Sequence, residues 1–173
     1  ELKKYISAIF KDGDIINYVV ETYEKDGKYL PSNQGANKTF ATLIDACDKN
    51  DDISYVIGDW NENAGAFIRI NPMDGNGAKN DNVLEYRHCL IESDSLPKEE
   101  QLKKIKELNL PCSAIVDSGG KSIHAIVRID AGTDEKLYRE RVSELHKRLE
   151  QHGFPVDKAC KNPSRLSRIA GVS

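Results

Sequence analysis

Apolar and polar residues alternate through residues 83–94, VLEYRHCLIESD. A period of two predicts a β-strand, in which residues i and i+2 share a face. Glu92 and Asp94 then lie on one face at the end of this strand, about 6.6 Å apart at Cα. Paired carboxylates of this kind bind the two divalent ions of nucleotidyl and phosphoryl transfer. The alternative for this pair alone is a strand end with solvated acids.

The pattern after this strand changes between helical and strand-like periods. Apolar residues at helical spacing predict a helix within residues 95–110, which Pro111 ends. Residues 113–117 and 122–130 predict two strands around a glycine turn, residues 133–153 predict a second helix, and residues from Phe154 onward predict a fourth strand. This β-α-β-β-α-β order is that of the RRM-like or ferredoxin-like fold, which is an α+β architecture.

The first half of the chain contains shorter predicted elements. Its pattern predicts helices at residues 1–10 and 39–48, and strands at residues 15–23, 29–30, 54–60 and 65–71. Residues 31–38 and 74–82 lack apolar periodicity and predict loops.

Right-handed crossovers in the β-α-β-β-α-β order bring distant polar residues to one edge of the sheet. The third strand lies between the first two and runs antiparallel to both, and the fourth lies on the other side of the first. The end of the first strand is therefore expected beside Ser122, His124 and Asp157. Alternate residues of the third strand are apolar and should pack under the helices. Ser122 and His124 are then expected on the open face with Glu92 and Asp94, although a single histidine is more often structural than functional.

The turn at residues 118–122, SGGKS, has the ending of a phosphate-binding loop. The complete motif requires glycine where this chain has Ile115, and a strand rather than a helix follows the turn. The loop is therefore not of that class, but its backbone N–H groups and Lys121 can still bind phosphate.

Basic residues dominate residues 156–171, VDKACKNPSRLSRIAG, where Lys158, Lys161, Arg165 and Arg168 accompany the single acid Asp157. Beside an acidic metal site, these cations suit a polyphosphate or a nucleic-acid backbone. A solvated charged tail is the alternative on spacing alone.

The composition is that of one compact domain or two small units that share a core. The chain has 173 residues, of which 39% are hydrophobic and 31% charged, with a net charge of −3. The near-neutral charge gives no global electrostatic reason for nucleic-acid binding. No apolar run is long enough to span a bilayer and no signal peptide is visible, so a membrane partner is not expected. Because the first residue is Glu1, the chain is expected to be part of a longer polypeptide.

The cysteine spacing argues against a zinc site. Cys47, Cys89, Cys112 and Cys160 form no C-x-x-C pair, so no zinc is expected. In a domain of this size they predict reduced thiols, and hence a cytoplasmic location.

Three motifs in this order make the chain resemble a primase-polymerase of the archaeo-eukaryotic primase superfamily. They are the acid-x-acid strand end at residues 92–94, the Ser-x-His strand start within SGGKSIH, and Asp157 ahead of NPSRLSRIAG. The resemblance extends upstream to GAFIRINP and spans most of the chain. Unlike many relatives, this chain has glutamate at position 92, and it has no zinc cluster.

The resemblance implies DNA-dependent synthesis and extension of primers, with single-stranded or primed DNA as template and nucleoside triphosphates as substrates. Glu92, Asp94 and Asp157 would hold two Mg²⁺ or Mn²⁺ ions and provide the catalytic carboxylates. The implied nucleotide-binding residues are Ser118, Lys121, Ser122, His124, Arg165, Arg168 and, more remotely, Arg69 and Asn71.

The resemblance also implies the domain organisation. An N-terminal α/β unit of residues 1–80 would join an RRM-like unit of residues 81–173, with the active site in the cleft between them, to form a single catalytic domain. Similar sequences occur in plasmid, phage and CRISPR-associated primase-polymerases, and the last group is slightly favoured.

Two other functions remain open on the sequence. A non-catalytic nucleic-acid or nucleotide-binding domain of the same fold would not need Glu92, Asp94 and Asp157 together. A metal-dependent phosphohydrolase is compatible with the spacing. A rolling-circle endonuclease is disfavoured, because neither His88 nor His124 has a second histidine two residues away.

Overall fold

The computed structural model describes residues 1–172, which form an α+β fold, as the sequence pattern predicts. The helices are α1 (Leu2–Ile9), α2 (Phe40–Lys49), the single turn α3 (Ser54–Ile57), α4 (Lys98–Glu107) and α5 (Glu135–Gln151). The strands are β1 (Ile15–Val19), β2 (Thr22–Lys25), β3 (Lys28–Pro31), β4 (Ala36–Thr39), β5 (Phe67–Arg69), β6 (His88–Ile91), β7 (Cys112–Asp117), β8 (Ile123–Arg128) and β9 (Leu166–Arg168).

The strands form three antiparallel sheets. One has the order β4-β1-β5-β9, another has the order β6-β8-β7, and β2 and β3 form a separate hairpin. The position of β8 between β6 and β7 is the one predicted for the third strand. Leu90 pairs with Ile126 and His88 with Arg128, so the predicted shared face is also present.

The predicted fourth strand is not formed at its expected place, so the complete RRM-like arrangement is not established. Residues 154–157 belong to no strand, and their link to β6 is one hydrogen bond from Asp157 N to Glu92 O of 3.0 Å. A 3₁₀ turn (Lys158–Lys161) follows, and the chain then enters β9, which pairs with β5 in the other sheet.

Other predicted elements also differ in the structure. The single strand predicted at residues 15–23 is divided into β1 and β2, which belong to different sheets, because residues 20 and 21 leave the first sheet. Residues 36–39 form an edge strand rather than a loop, because β1 offers them a pairing partner. Residues 54–57 form a helical turn rather than a strand, and Gly58 with φ 91° ends it. The strand predicted at residues 83–94 is regular only over β6.

One hydrophobic cluster joins the two larger sheets and their helices. It includes Ile6, Ile68, Leu90, Ile126 and Tyr138, all almost fully buried. The ends of β6 and the start of β8 are consequently held against a rigid interior. Among residues 1–172, no helix has the length and apolar character needed to cross a membrane.

Candidate active site

A cavity of about 590 Å³ is lined by residues of both larger sheets. Its walls include the end of β6, the turn before β8, the start of β8 and the segment that contains β9. Of the residues predicted to form a site, the cavity is lined by Glu92, Asp94, Asp157, Ser118, Ser122, His124, Arg69, Arg165 and Arg168. This volume is within the usual range for sites that bind small molecules.

Glu92 is at the centre of the polar contacts in the cavity. Its side chain is about 10% exposed. Oε2 lies 2.9 Å from His124 Nε2 and accepts from Ser122 Oγ at 3.3 Å, while Oε1 accepts from Arg165 Nη2 at 2.7 Å. The carboxylate is therefore buried but fully partnered, as a buried charge requires.

The pKa of Glu92 reflects two opposing effects. Burial alone would raise the pKa, but the hydrogen bond from His124 and the hydrogen bond and charge of Arg165 outweigh burial and lower the pKa to about 2. The carboxylate is therefore ionised at neutral pH and available as a metal ligand.

The hydrogen bonds of His124 indicate its tautomer. The backbone N–H of Arg168 points at Nδ1 at 3.2 Å, and an N–H can only donate. Nδ1 is then the acceptor and Nε2 carries the proton that is donated to Glu92. His124 thus links the start of β8 to both β6 and β9, and it orients the Glu92 carboxylate.

Asp157 is placed next to Glu92 by the backbone bond described above. Its Oδ1 accepts from Ala159 N at 2.9 Å and caps the 3₁₀ turn, and its Oδ2 accepts from Arg165 Nη2 at 2.9 Å. The Arg165 guanidinium therefore bridges the two carboxylates. Burial lowers the pKa of Arg165, but its bonds and charge interactions with Glu92 outweigh burial and raise it.

Glu92 and Asp157 form a cluster of potential metal ligands with Cys160. One ligand atom from each lies within 4.8 Å of the others. Two carboxylates suit Mg²⁺ or Mn²⁺, which prefer oxygen ligands. The Cys160 thiol is fully buried and burial raises its pKa, so it remains protonated and adds little affinity for hard ions. The Arg165 guanidinium lies between the two carboxylates. A divalent ion held by both carboxylates would fit the same place.

Asp94 lies apart from this cluster. It is exposed and lines the cavity at its rim, two residues beyond Glu92. The structure thus brings Asp94 to the same cavity as Glu92 and Asp157, but not to the same close group of ligand atoms.

The glycine turn folds around the Ser118 hydroxyl. Its Oγ accepts from Gly120 N and Ser122 N, both at 3.3 Å, and Gly119 has the positive φ of 74° that the turn requires. Ser118 and Ser122 line the cavity. Lys121 is exposed and is not among the lining residues.

The arginines of β5 and β9 form another wall. The Arg168 guanidinium stacks over Phe67 at 4.4 Å from the ring centre and lines the cavity. Arg69 is buried and donates to Asn17 Oδ1 and to the backbone oxygens of Ala78 and Asn33. Each of its three nitrogens donates one of these bonds to the protein, so Arg69 mainly shapes the wall.

Asn71 lies outside the cavity. It is fully buried and bonds only to backbone groups: those of Arg87, His88 and Pro163. The structure therefore does not place Asn71 where it could contact a nucleotide in this cavity.

Sequence reasoning did not identify Cys160, which belongs to the cluster of potential metal ligands, or the hairpin residues Leu30 and Pro31, which line the cavity. Cys160 could have been found, because it lies three residues after Asp157 and side chains at i and i+3 of a 3₁₀ turn share a side. Leu30 and Pro31 carry no chemical signal, and only the path of the chain brings them there.

No protein-family model matches the chain, and a search of curated proteins finds no match. Among solved structures, the chain is similar to the catalytic domain of primase Repb' in complex with initiator DNA. The chain has the fold of that primase catalytic domain. The TM-score is 0.56 at 14% sequence identity, and the similarity covers 99% of this chain and 75% of that chain. At this identity the similarity concerns the fold.

Proposed function

We propose that this chain is the catalytic domain of a DNA-dependent primase-polymerase, which makes and extends primers from nucleoside triphosphates. The observation that carries the proposal is the convergence of the acidic, serine-histidine and arginine motifs on one cavity. These motifs come from three separate parts of the chain. If they were only charged surface residues that cluster in space, there would be no reason for them to occur in this order along the sequence. The similarity to a primase catalytic domain supports the same function.

Glu92, Asp94 and Asp157 would hold two Mg²⁺ or Mn²⁺ ions. Such ions, when bound, lower the pKa of the primer 3′-hydroxyl and neutralise charge on the triphosphate. His124 keeps Glu92 oriented and ionised through its Nε2–H bond. The carboxylate of Asp94 is exposed at the rim of the cavity, so it can change its orientation when a ligand binds.

The arginines and serines would bind the triphosphate. Arg165 and Arg168 present guanidinium groups to the cavity, and such groups bind phosphate oxygens through paired hydrogen bonds. Ser118 and Ser122 offer hydroxyl groups beside them. Lys121, exposed in the same turn, would reach phosphates from the solvent side. Asn71 acts in this proposal only by holding the walls of the cavity in place.

The template partner would be single-stranded or primed DNA. The structure of primase Repb' contains initiator DNA, which supports nucleic acid as the class of partner. We propose further that residues 1–80 and 81–173 act as one catalytic domain, because β9 completes the sheet of the first half and both halves line the cavity.

The test is a Mn²⁺-dependent assay of nucleotide incorporation, with and without a primer, that compares wild type with Asp94→Ala. Asp94 is exposed, so this substitution should leave the fold intact. Loss of even supporting residues of a metal site costs 10–100-fold, so a ligand should cost about 100-fold or more. Asp51→Ala, which removes another exposed aspartate, is the matched control and should retain activity.

Two other results would replace the proposal. Nucleotide hydrolysis without chain extension would identify a metal-dependent phosphohydrolase. DNA or nucleotide binding without either reaction would identify a binding domain. Full incorporation by Asp94→Ala would contradict the site assignment.

A further inference from the structure

The β2–β3 hairpin projects from the larger sheet without a strand partner. β1 and β4 pair as far as Tyr18 and Ala36, and the chain between them leaves the sheet to form the hairpin. Asp26 and Gly27, with φ of 52° and 72°, make the two-residue turn. Nearly every residue of the two strands is exposed. Two strands alone are marginally stable in water, so the hairpin depends on its attachment to the larger sheet.

The two faces of the hairpin differ in chemistry. Tyr23 pairs with Leu30 and Lys25 with Lys28, so these four side chains share one face. Glu24 pairs with Tyr29 on the other face, and it is the acid of the two strands. One face therefore combines an aromatic ring and a leucine with two positive charges, whereas the other carries a negative charge beside its ring.

The base of the hairpin is part of the candidate active site. Leu30, on the positively charged face, lines the cavity, and so does Pro31, which pairs with Thr22 on the other face. Tyr23 is 48% exposed and lies directly across from Leu30, and the two lysines continue along the same face away from the cavity. The face is thus continuous with the cavity wall.

Aromatic rings beside lysines are the features that bind single-stranded nucleic acid. A ring stacks on a base irrespective of sequence, and lysines neutralise the phosphates. We propose that the face formed by Tyr23, Lys25, Lys28 and Leu30 binds the single strand of nucleic acid that leads to the cavity. This inference rests on the proposed function, since it assigns to that cavity the path of its polynucleotide.

The first test is binding of a fluorescein-labelled oligodeoxythymidine, about 15 nucleotides long, followed by fluorescence anisotropy. Tyr23→Ala should weaken binding about fivefold or more, as expected for loss of one stacked base. Tyr29→Ala removes the matching ring of the opposite face and should leave the Kd unchanged. No weakening by Tyr23→Ala, or equal weakening by both variants, overturns the proposal.

The second test uses salt. Lys25→Gln combined with Lys28→Gln should reduce the slope of log K against log salt concentration by about 1.4, since each phosphate contact with a single strand contributes about 0.7. An unchanged slope overturns the proposal. So does a change of molar mass in Tyr23→Ala by light scattering, which would identify the face as a contact between copies of this chain.

Two readouts separate this inference from the proposed function. Binding of Mn²⁺ with a deoxynucleoside triphosphate, measured by calorimetry, should be the same in Tyr23→Ala and in wild type. If wild type incorporates nucleotides but the hairpin variants bind DNA normally, the hairpin inference is wrong and the proposed function stands. If DNA binding depends on the hairpin but wild type incorporates no nucleotide, the proposed function is wrong and the hairpin inference stands.

Discussion

Arg165 sets the charge balance among the carboxylates of the candidate active site. Its Nη2 contacts both Glu92 and Asp157, so it occupies the position between two anions that also suits a divalent ion. If Glu92 and Asp157 held a divalent ion between them, the Arg165 guanidinium would have to leave these carboxylates. The displaced guanidinium would then be available to the phosphates of the nucleotide, so binding of metal and nucleotide should be coupled through this residue.

We predict that Arg165→Gln binds Mn²⁺ more tightly in the absence of nucleotide. Hydrogen bonds to charged groups contribute about 1.5–3 kcal/mol, and Arg165 is partly exposed, so the gain should be about threefold to tenfold. The same variant should bind the nucleotide less tightly. Calorimetry with Mn²⁺ alone and then with nucleotide measures both effects.

Arg168→Gln provides the control for this prediction. Arg168 also lines the cavity, but it stacks on Phe67 and contacts neither carboxylate. Its substitution should leave the Mn²⁺ affinity unchanged. Equal Mn²⁺ affinities in Arg165→Gln and wild type would show that the guanidinium does not compete with the ion.

We expect His146 to make the stability of the fold sensitive to mild acid. It is 4% exposed, and its Nε2 has no hydrogen-bond partner among the described residues. Burial, and then the charge of Lys161, lower its pKa from 6.5 to about 4. The unfolded chain therefore binds a proton near pH 6.5 that the folded chain does not accept until near pH 4, so stability falls as the pH decreases across this interval.

The free energy of unfolding should decrease between about pH 7 and about pH 5, and we predict that this decrease is about 1 kcal/mol smaller in His146→Leu than in wild type. The figure allows for partial solvent screening. Urea unfolding at the two pH values measures it. His152→Gln, at the exposed end of α5, should leave the pH dependence as in wild type. A loss in His146→Leu as large as in wild type would show that other groups cause the acid sensitivity.

At the scale of elements, Gln101 of α4 connects the two motif-bearing strand ends. Its Nε2 donates to Ser93 O and Leu96 O, and its Oε1 accepts from Ile123 N. Ser93 lies between Glu92 and Asp94, and Ile123 lies between Ser122 and His124. A single fully buried side chain therefore fixes the acid-x-acid and Ser-x-His motifs relative to each other.

We predict that Gln101→Met, which preserves volume, destabilises the fold by about 2–4 kcal/mol, because it leaves buried backbone groups without partners. It should also weaken nucleotide binding, since both motifs lose their common support. Thermal unfolding and calorimetry measure the two effects. Lys103→Met, on the exposed side of α4, is the control, and equal effects of the two variants would contradict the role of Gln101.

The elements that the sequence predicted correctly are those with strong periodicity. α4, α5, β7 and β8 have regular apolar patterns, and their order brought Glu92, Ser122 and His124 to one face as expected. β4 could not be predicted, because its sequence ANKT has little strand propensity and its conformation comes from pairing with β1. The residues of α3 favour a strand by composition, but Asp52 Oδ1 accepts from Ser54 N and starts a helical turn.

At the scale of the whole molecule, the C-terminal segment joins the two larger sheets. The sequence predicted a fourth strand beside β6, but the segment makes only isolated bonds there, from Asp157 N to Glu92 O and from Cys89 Sγ to Cys160 O, and then pairs with β5. The choice between the two sheets depends on contacts distant in sequence, so local periodicity could not reveal it. The same crossing places Asp157, Arg165 and Arg168 around one cavity.

Asn71 is the polar junction of this assembly, and its substitution tests how the two sheets are held together. Its amide donates to His88 O and Pro163 O at 2.9 Å each, and its oxygen accepts from Arg87 N and His88 N at 2.8 Å each. Asn71→Asp keeps the shape but turns oxygen towards two carbonyl groups and adds a buried charge. We predict a loss of about 3 kcal/mol or more in the free energy of unfolding, measured with urea near neutral pH.

The same change at Asn63, which is exposed in a loop, should alter stability by less than about 0.5 kcal/mol. If Asn71→Asp changed the free energy of unfolding as little as Asn63→Asp does, the hydrophobic cluster alone would hold the sheets together. If instead Asn71→Asp is strongly destabilised while Asn63→Asp is not, the packing of the two sheets depends on a polar junction that lies outside the cavity. The asparagine in GAFIRINP would then serve the fold, although the sequence suggested a nucleotide contact.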